Sequence, residues 1–346
     1  MLTLPEGYPT SSDVANMSVL GCDLATELCG RGPLEAASRG IPLGPDDICF
    51  RFNLVSVAAD GRLLDFSGGH IDQEDAEEAV RLLNAALGTD RIRFYSGVSY
   101  RNLLVLSGAG FSAAVCCAKP DDNMGNPVAE HLQCATTPAG EATAALLRDL
   151  MARAAVVLKG RTANGIWPWS GGQAGALRRL DERYGIRAAV ISAVDVINGL
   201  GRCMGMDIIR VDGATGYIDT NYEGKADAAI EAIRDYDFVY VHVEAIDEVS
   251  HARDVELKLR TIEDFDRRLV ARVIGNVDPV TTFVVLPDHP VPLATGRHTR
   301  NPVPVAVRRP GVAPDGVQTF DEIACRQGAL GELRGSALMD LLFARH

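Results

Sequence analysis

"VYVHVEAIDEVSHARD", residues 239–254, is the stretch that decides how the chain is read. A β-branched apolar run delivers the backbone into a loop carrying Asp247 and His251, four residues apart. A strand with so little alternation is built to be buried on both faces, as in a parallel sheet covered by helices. A carboxylate and an imidazole at its end are costly there unless something pairs with them.

The same grammar recurs on either side. "IRAAVISAV" (186–194) reads as a buried strand, and "KADAAIEAIRDY" (225–236) as a helix leading into the strand "DFVYVHV" (237–243). "RDVELKLRTIEDFDRRLVARVIG" (253–275) sets Val255, Leu259, Ile262, Leu269 and Val273 on one face at helical spacing. "TTFVVLPDH" (281–289) reads as another buried strand, ending on Asp288 and His289, and His298 follows in "ATGRHTR". Strands alternating with helices predict an α/β fold with a mostly parallel sheet flanked by helices. In such sheets ligands collect where strands leave their carboxyl ends.

Farther upstream, "RIRFYSGV" (91–98) and "NLLVLSG" (102–108) read as paired strands. Residues 72–88 read as a helix with an Asp72 cap and a terminal Gly88, and 139–158 as a second helix. Turn formers make 120–140 a loop, and "RTANGIWPWSGGQAGA" (161–176) is the expected crossing between two lobes. A length of 346 residues allows one or two domains.

Composition excludes some functions. The formal charge of −12 opposes non-specific binding to nucleic acid, which needs a basic footprint. Apolar runs such as "AAVVL" (154–158) are too short to span a bilayer, and the first residues lack the basic and apolar regions of a secretory signal. The expectation is a soluble cytoplasmic protein without a membrane or nucleic-acid partner. Its eight cysteines show no C-x-x-C pair and read as reduced thiols serving as small apolar residues.

Taken singly, a His after a strand is commonly a hydrogen-bonded surface residue, and Asp-x-x-x-His fits a helix start with a favourable charge. Together, Asp247, His251, Asp288, His289 and His298 suit a divalent cation, since carboxylates and neutral imidazoles are its usual ligands. "YPTSSDVANMSVL" (8–20) adds Ser11 and Ser12 before an acid at a helix start. Either serine fills an N-cap, or one is a nucleophile whose hydroxyl is acidified by the helix terminus and an adjacent dication.

Six segments, "GYPTSSDVANMSVLGCD", "GRGPLEAASRGIPLGPDDICFRFNLV", "SGGHI", "ISAVDVINGLGRCMGM", "VHVEAIDEVSH" and "VLPDHPVPLATGRHT", occur in order across residues 7–299. They resemble the cofactor-independent (2,3-bisphosphoglycerate-independent) phosphoglycerate mutases of the archaeal type, in the alkaline-phosphatase-like metalloenzyme superfamily. "ANGIWPWSGG" resembles most the bacterial branch also proposed to supply homoserine kinase activity. The resemblance implies an alkaline-phosphatase-like domain from residues 1–26 and 176–346, with an inserted α+β substrate-binding domain at 27–175. It implies Ser12 as the residue that accepts the phosphoryl group, Asp288 and His289 on the serine's metal, and Asp247, His251 and His298 on a second. Two divalent ions are implied, Mn²⁺ first, with Zn²⁺, Co²⁺ or Mg²⁺ as alternatives. The implied substrates are 3-phosphoglycerate and 2-phosphoglycerate, met by His70, Asp122, Arg51, Arg101 and Arg161.

Three departures accompany the resemblance. Family members open with a strand ending in Asp–Gly, whose Asp joins the serine metal; this chain starts near "GYPTSSD", which suggests a truncated reading or an inactive remnant. The family's Pro-His-Asp is here Pro120-Asp121-Asp122, and a lysine common after "VDLI" is Asn198. Those two changes motivate an alternative, a phosphotransferase or phosphatase acting on another small hydroxy acid such as homoserine.

Overall fold

The structure, a computed structural model, describes residues 1–173 and 177–344. Two compact units divide it, one formed by Met1–Leu28 with Leu177–His346, the other by Cys29–Ala176. The domain boundary expected at 175/176 lies outside the described residues.

The Cys29–Ala176 unit is built on β1 (Ile48–Val57), a strand buried along nearly its whole length. Period-two alternation splits its side chains. Ile48, Phe50, Phe52 and Leu54 enter one core, while Cys49 and Val55 enter others on the opposite face. Around it lie β2 (Leu63–Asp65), β3 (Ile92–Val98) and β4 (Arg101–Leu106), in the order β2–β1–β4–β3. β3 and β4 pair antiparallel as their sequences predict, with Phe94 opposite Leu104. A small ladder pairs β5 (Val115–Cys116) with β6 (Cys134–Ala135), and of the two only β6 lies in the segment expected to be loop.

Two helices cover the sheet. Gln73–Leu87 starts at Asp72, whose side chain accepts from the Asp75 amide, and buries Ala76, Ala79, Val80, Leu83 and Leu87 at helical spacing. Glu141–Val157 adds Leu147, Leu150, Met151 and Ala154 to the same core. Each of the large side chains so buried stabilises the fold by roughly 1.5–3 kcal/mol.

Residues 161–173 correct the sequence reading. Gly165–Gln173 is β7, antiparallel to β1, with Trp167 fully buried. Alternating Trp167 and Trp169 have too much apolar area for an exposed crossing, and Pro168 is tolerated because β7 pairs on one side only. The glycines that suggested a linker serve close packing: a Cβ on Gly171 would sit 2.2 Å from the Phe50 ring, and one on Gly172 would meet the Cys29 carbonyl at 1.5 Å.

In the other unit β8 (Ala188–Ile191), β9 (Asp207–Ile208) and β10 (Phe238–Val241) form a parallel sheet in the order β10–β8–β9. β11 (Phe283–Val285) pairs antiparallel with β12 (Ala306–Arg308). β8 is fully buried, but β10 and β11 are half-buried, against the expectation that both would be buried. Val239 and Val241 share a core with Phe283, and Tyr240 shares one with Val284, although no ladder joins β10 to β11 among the described residues.

The long helix expected at 253–275 is Val255–Asp264 and Ala271–Asn276 joined by a π-helical turn, Phe265–Val270. Each residue inserted into an α-helix rotates the downstream turns by about 100°. Leu269 and Val273 therefore reach the core while Val255, Leu259 and Ile262, expected on the same face, stay exposed. Among the described residues no helix is long and apolar enough to cross a membrane.

Candidate metal centre and nucleophile

Asp247 and His251 sit on a short helix, Ala245–His251, that follows β10 directly, and not on the loop the sequence suggested. Four residues is about one helical turn, so both side chains leave the same face. The loop after β11 returns Asp288, His289 and His298 to that face. Asp247 lies 3.2 Å from His251 Nε2, 3.4 Å from His298 Nε2 and 3.8 Å from His289 Nδ1. The rings of His289 and His298 stack at 3.8 Å. Ligand atoms of Asp247, His251 and His298 all fall within 4.8 Å of one another.

Hydrogen bonding fixes which nitrogens face inward. His251 Nδ1 lies 2.9 Å from the Gly296 carbonyl and His298 Nδ1 lies 3.0 Å from the Thr10 carbonyl. A carbonyl only accepts, so both Nδ1 atoms carry protons. In the neutral rings both Nε2 atoms are then bare, yet they face each other at 3.0 Å. Asp247 Oδ1, beside them, is buried without a donor, as is His289 Nδ1 without a partner. Lone pairs turned on one another beside an orphaned carboxylate oxygen need a positive charge among them. Imidazoles that donate their other nitrogen to backbone carbonyls are the usual metal-binding arrangement.

Ser12 joins this cluster. It is the first residue of the helix Ser12–Val19, it is buried, and its Oγ lies 3.1 Å from His289 Nε2. Ser11 occupies the cap position and makes no side-chain cap bond. His289 Nε2 is also 3.4 Å from Asp288 Oδ2. Serine hydroxyl, carboxylate and imidazole thus converge as a second donor set, O, O and N, beside the first. Burial pushes His289 down to about 4, so its ring is neutral, and burial with the Asp247 charge pushes Asp288 up to about 7.

Several organising residues carried no signal in the sequence. Asn16, one turn after Ser12, donates 2.8 Å to the Ser12 carbonyl and 2.9 Å to Asp288 Oδ2, and it accepts from the Tyr240 hydroxyl. Arg300 donates to the carbonyls of Pro5 at 2.6 Å and Tyr8 at 2.5 Å, holding the segment that leads to Ser12. Behind the Ala245–His251 helix, buried Lys225 donates 3.2 Å to the His242 carbonyl, and burial pushes it down to about 8. His242 lies 3.4 Å from Glu244, which forms a second acidic group with Asp247 and Glu248.

The expected substrate-binding residues all lie in the Cys29–Ala176 unit. His70 is exposed and left-handed (φ 56°) at the end of a turn in which Asp65 Oδ1 accepts from the amides of Ser67 at 2.6 Å and Gly69 at 3.1 Å. Asp122 is exposed in the 3₁₀ turn Asp121–Asn123. Arg51 is buried, 3.1 Å from Glu35 and 4.9 Å over the Trp169 ring; burial lowers its pKa, and Arg31 and Arg101 lower it further. Arg101 lies over Tyr100 at 5.1 Å, and Arg161 is 3.7 Å from Glu78.

The family model for 2,3-bisphosphoglycerate-independent phosphoglycerate mutase matches residues 1–164. A relative of that name from Methanosarcina acetivorans is 43% identical over 98% of this chain and 88% of its own length. The chain belongs to the 2,3-bisphosphoglycerate-independent phosphoglycerate mutase family. A solved cofactor-independent phosphoglycerate mutase from Thermoplasma acidophilum is 27% identical and superposes with a TM-score of 0.64 over 97% of this chain and 87% of that one. A Pyrococcus horikoshii protein shares the fold, with a TM-score of 0.79 at 24% identity over 99% of this chain and 84% of that one. Relatives in this mutase family are named for an isomerase activity, and Asp247, His251 and His298 offer ligand atoms close enough together to hold a metal ion.

Proposed function

We propose that the chain interconverts 3-phosphoglycerate and 2-phosphoglycerate through a phosphoserine at Ser12. The proposal includes an alkaline-phosphatase-like catalytic domain from residues 1–26 and 176–346, with 27–175 as the substrate-binding domain, acting in the cytoplasm. One observation carries it: Ser12 Oγ lies 3.1 Å from His289 in a cluster whose inward nitrogens and buried carboxylate oxygen lack proton donors. The names of the relatives supply the substrate.

Asp247, His251 and His298 would hold one divalent cation, and Ser12, Asp288 and His289 a second. Mn²⁺ suits such mixed oxygen and nitrogen donors, with Zn²⁺, Co²⁺ and Mg²⁺ as alternatives. When bound, such ions supply positive charge that favours an ionised serine and neutralises the transferring phosphoryl oxygens.

The chain's own groups do the rest. Ser12 reacts ionised: its Oγ bonds to phosphorus as the bond to the substrate's 3-oxygen breaks. The glycerate remains and turns, and its 2-oxygen then bonds to phosphorus as the bond to Ser12 Oγ breaks. Asp122 carries the proton between the two glycerate hydroxyls, giving it to the 3-oxygen and taking it from the 2-oxygen. His70, Arg51, Arg101 and Arg161 are the proposed partners of substrate phosphate and carboxylate, since guanidinium forks fit both. Water must be kept from the phosphoserine, or the result is a phosphatase.

The test is turnover of 3-phosphoglycerate with Mn²⁺ and no added bisphosphoglycerate. Ser12→Ala should lower the rate by about a thousandfold or more, and phosphate from labelled substrate should be recovered on Ser12 of the parent. A Ser12→Ala protein with unchanged rate would sink the mechanism, and turnover persisting in excess chelator would remove the cations from it.

A further inference from the structure

Cys116 and Cys134 are 18 positions apart in sequence and directly opposite in the β5–β6 ladder. Residues opposed in an antiparallel pair point to the same face with Cα atoms about 4.5–5.5 Å apart. A disulfide spans about 4.4–6.8 Å between Cα atoms, so this register needs no backbone movement to be bridged. Burial, and after it the neighbouring Cys134, raise the Cys116 pKa above its ordinary value. Both are exposed, whereas Cys22, Cys29 and Cys49 are buried. Cys117, next in the chain, turns to the other face and packs beside Trp167 and Val55. Among the described residues no other two cysteines oppose each other in a ladder.

Neighbouring bonds hold the register. The Thr136 amide donates 2.9 Å to the Ala114 carbonyl, and a Cβ on Gly140 would sit 2.0 Å from that same oxygen. Gln133 donates 2.9 Å to the Pro168 carbonyl, tying the β6 arm to β7. This is a pre-aligned dithiol, and the expectation that every cysteine serves as a small apolar residue fails at these two positions.

We propose that Cys116 and Cys134 form a reversible redox dithiol that closes to a disulfide when the protein meets hydrogen peroxide. One thiol loses its proton, the thiolate attacks a peroxide oxygen, the O–O bond breaks to leave a sulfenic acid and hydroxide, and the hydroxide takes up that proton to become water. The second sulfur attacks the sulfenic sulfur, the S–S bond forms, and a second water leaves. Two thiols are oxidised and one peroxide is reduced, with every hydrogen accounted for. Exposed disulfides are the labile kind, so a small dithiol reductant reopens the bond. Closure makes a covalent ring of residues 116–134, which contains the Asp121–Asn123 turn.

The experiment treats the full chain with hydrogen peroxide, caps remaining thiols and maps peptides without reduction. The expected result is a peptide pair joined through Cys116 and Cys134 that has lost two hydrogens and separates with dithiothreitol. Cys117→Ser should give the same link, and Cys134→Ser should abolish it and leave Cys116 free for capping or over-oxidation. Amide exchange within 117–133 should slow in the oxidised protein. Independent over-oxidation of Cys116 and Cys134 without a link, or a link lost in Cys117→Ser while the variant's circular dichroism matches the parent, would overturn the proposal.

Discussion

The side chains expected to meet ligand are treated in opposite ways in the two units. In the Cys29–Ala176 unit Arg51 has Glu35 and Trp169, Arg101 has Tyr100, and Arg161 has Glu78. Each cation is supplied with a partner by its own surroundings. In the other unit Asp247, His251, His289 and His298 are packed together with bare nitrogens facing bare nitrogens and an oxygen facing none. Buried polar groups are normally satisfied, and the exceptions mark where something else belongs. The difference separates side chains already partnered within the fold from side chains the fold has left open.

Breaking one partnership of the first kind should cost the most. Arg51→Met leaves Glu35, whose side chain is 13% exposed, unpaired and should lower unfolding free energy by about 3–5 kcal/mol in urea titrations. Adding Glu35→Gln should restore most of the loss, and Arg101→Met should stay within about 0.5 kcal/mol. Equal effects of Arg51→Met and Arg101→Met would erase the distinction between the buried pair and the exposed stack.

A cation should sharpen the contrast from the other side. At about 100 times its dissociation constant Mn²⁺ should stabilise the parent by about 2.7 kcal/mol, read as a rise in thermal midpoint. Asp247→Asn should abolish the rise; a midpoint that still climbs would place the cation elsewhere. Asn16→Ala comes next, because it strips a donor from Asp288 and an acceptor from Tyr240. A loss of about 1–3 kcal/mol is expected, and an unchanged denaturation curve would mean that Asp288 is oriented by other groups.

The smallest effect belongs to an exposed pair. Arg268 grips Glu223 with bonds of 2.7 and 2.9 Å and draws its carboxyl down from 4.5 to about 2. Glu223→Gln should cost about 0.2–1 kcal/mol at neutral pH. A depressed carboxyl stabilises the folded state above its unfolded value and loses that advantage as pH falls through the folded one. The gap between parent and variant should therefore close as pH drops from 4.5 towards 2. A gap independent of pH would mean that packing, and not charge, holds the pair.

How much of this was legible depends on distance along the chain. Helix Gln73–Leu87 could be read because its cap, its stripe and its terminal glycine are all local. Asp247, His251, Asp288, His289 and His298 were visible as a set because acids and imidazoles at the ends of apolar strands are conspicuous. What those residues lack was not visible: only the folded chain brings the Gly296 and Thr10 carbonyls to the imidazoles. Asn16 and Tyr240 read as one more polar residue on a helix and one more aromatic on a strand, and their link is tertiary. The π turn at Phe265–Val270 misled a periodicity argument that assumed one unbroken helix. The opposed cysteines stayed hidden because spacing rules look for near neighbours, and β5 and β6 are short strands joined by a long turn.

The carbonyls that orient His251 and His298 belong to the main chain. Replacing the Thr10 side chain would leave its carbonyl in place, so a substitution there has no direct way to reverse which nitrogen His298 presents, whereas Gly296 is left-handed (φ 60°) and a Cβ there would sit 2.8 Å from Arg253 Nε. The handedness of the donor set is written into the route of the backbone, and it would persist through extensive change in the surrounding side chains. A lineage could exchange one ligand for another, but it would have to re-route a loop to turn the rings around.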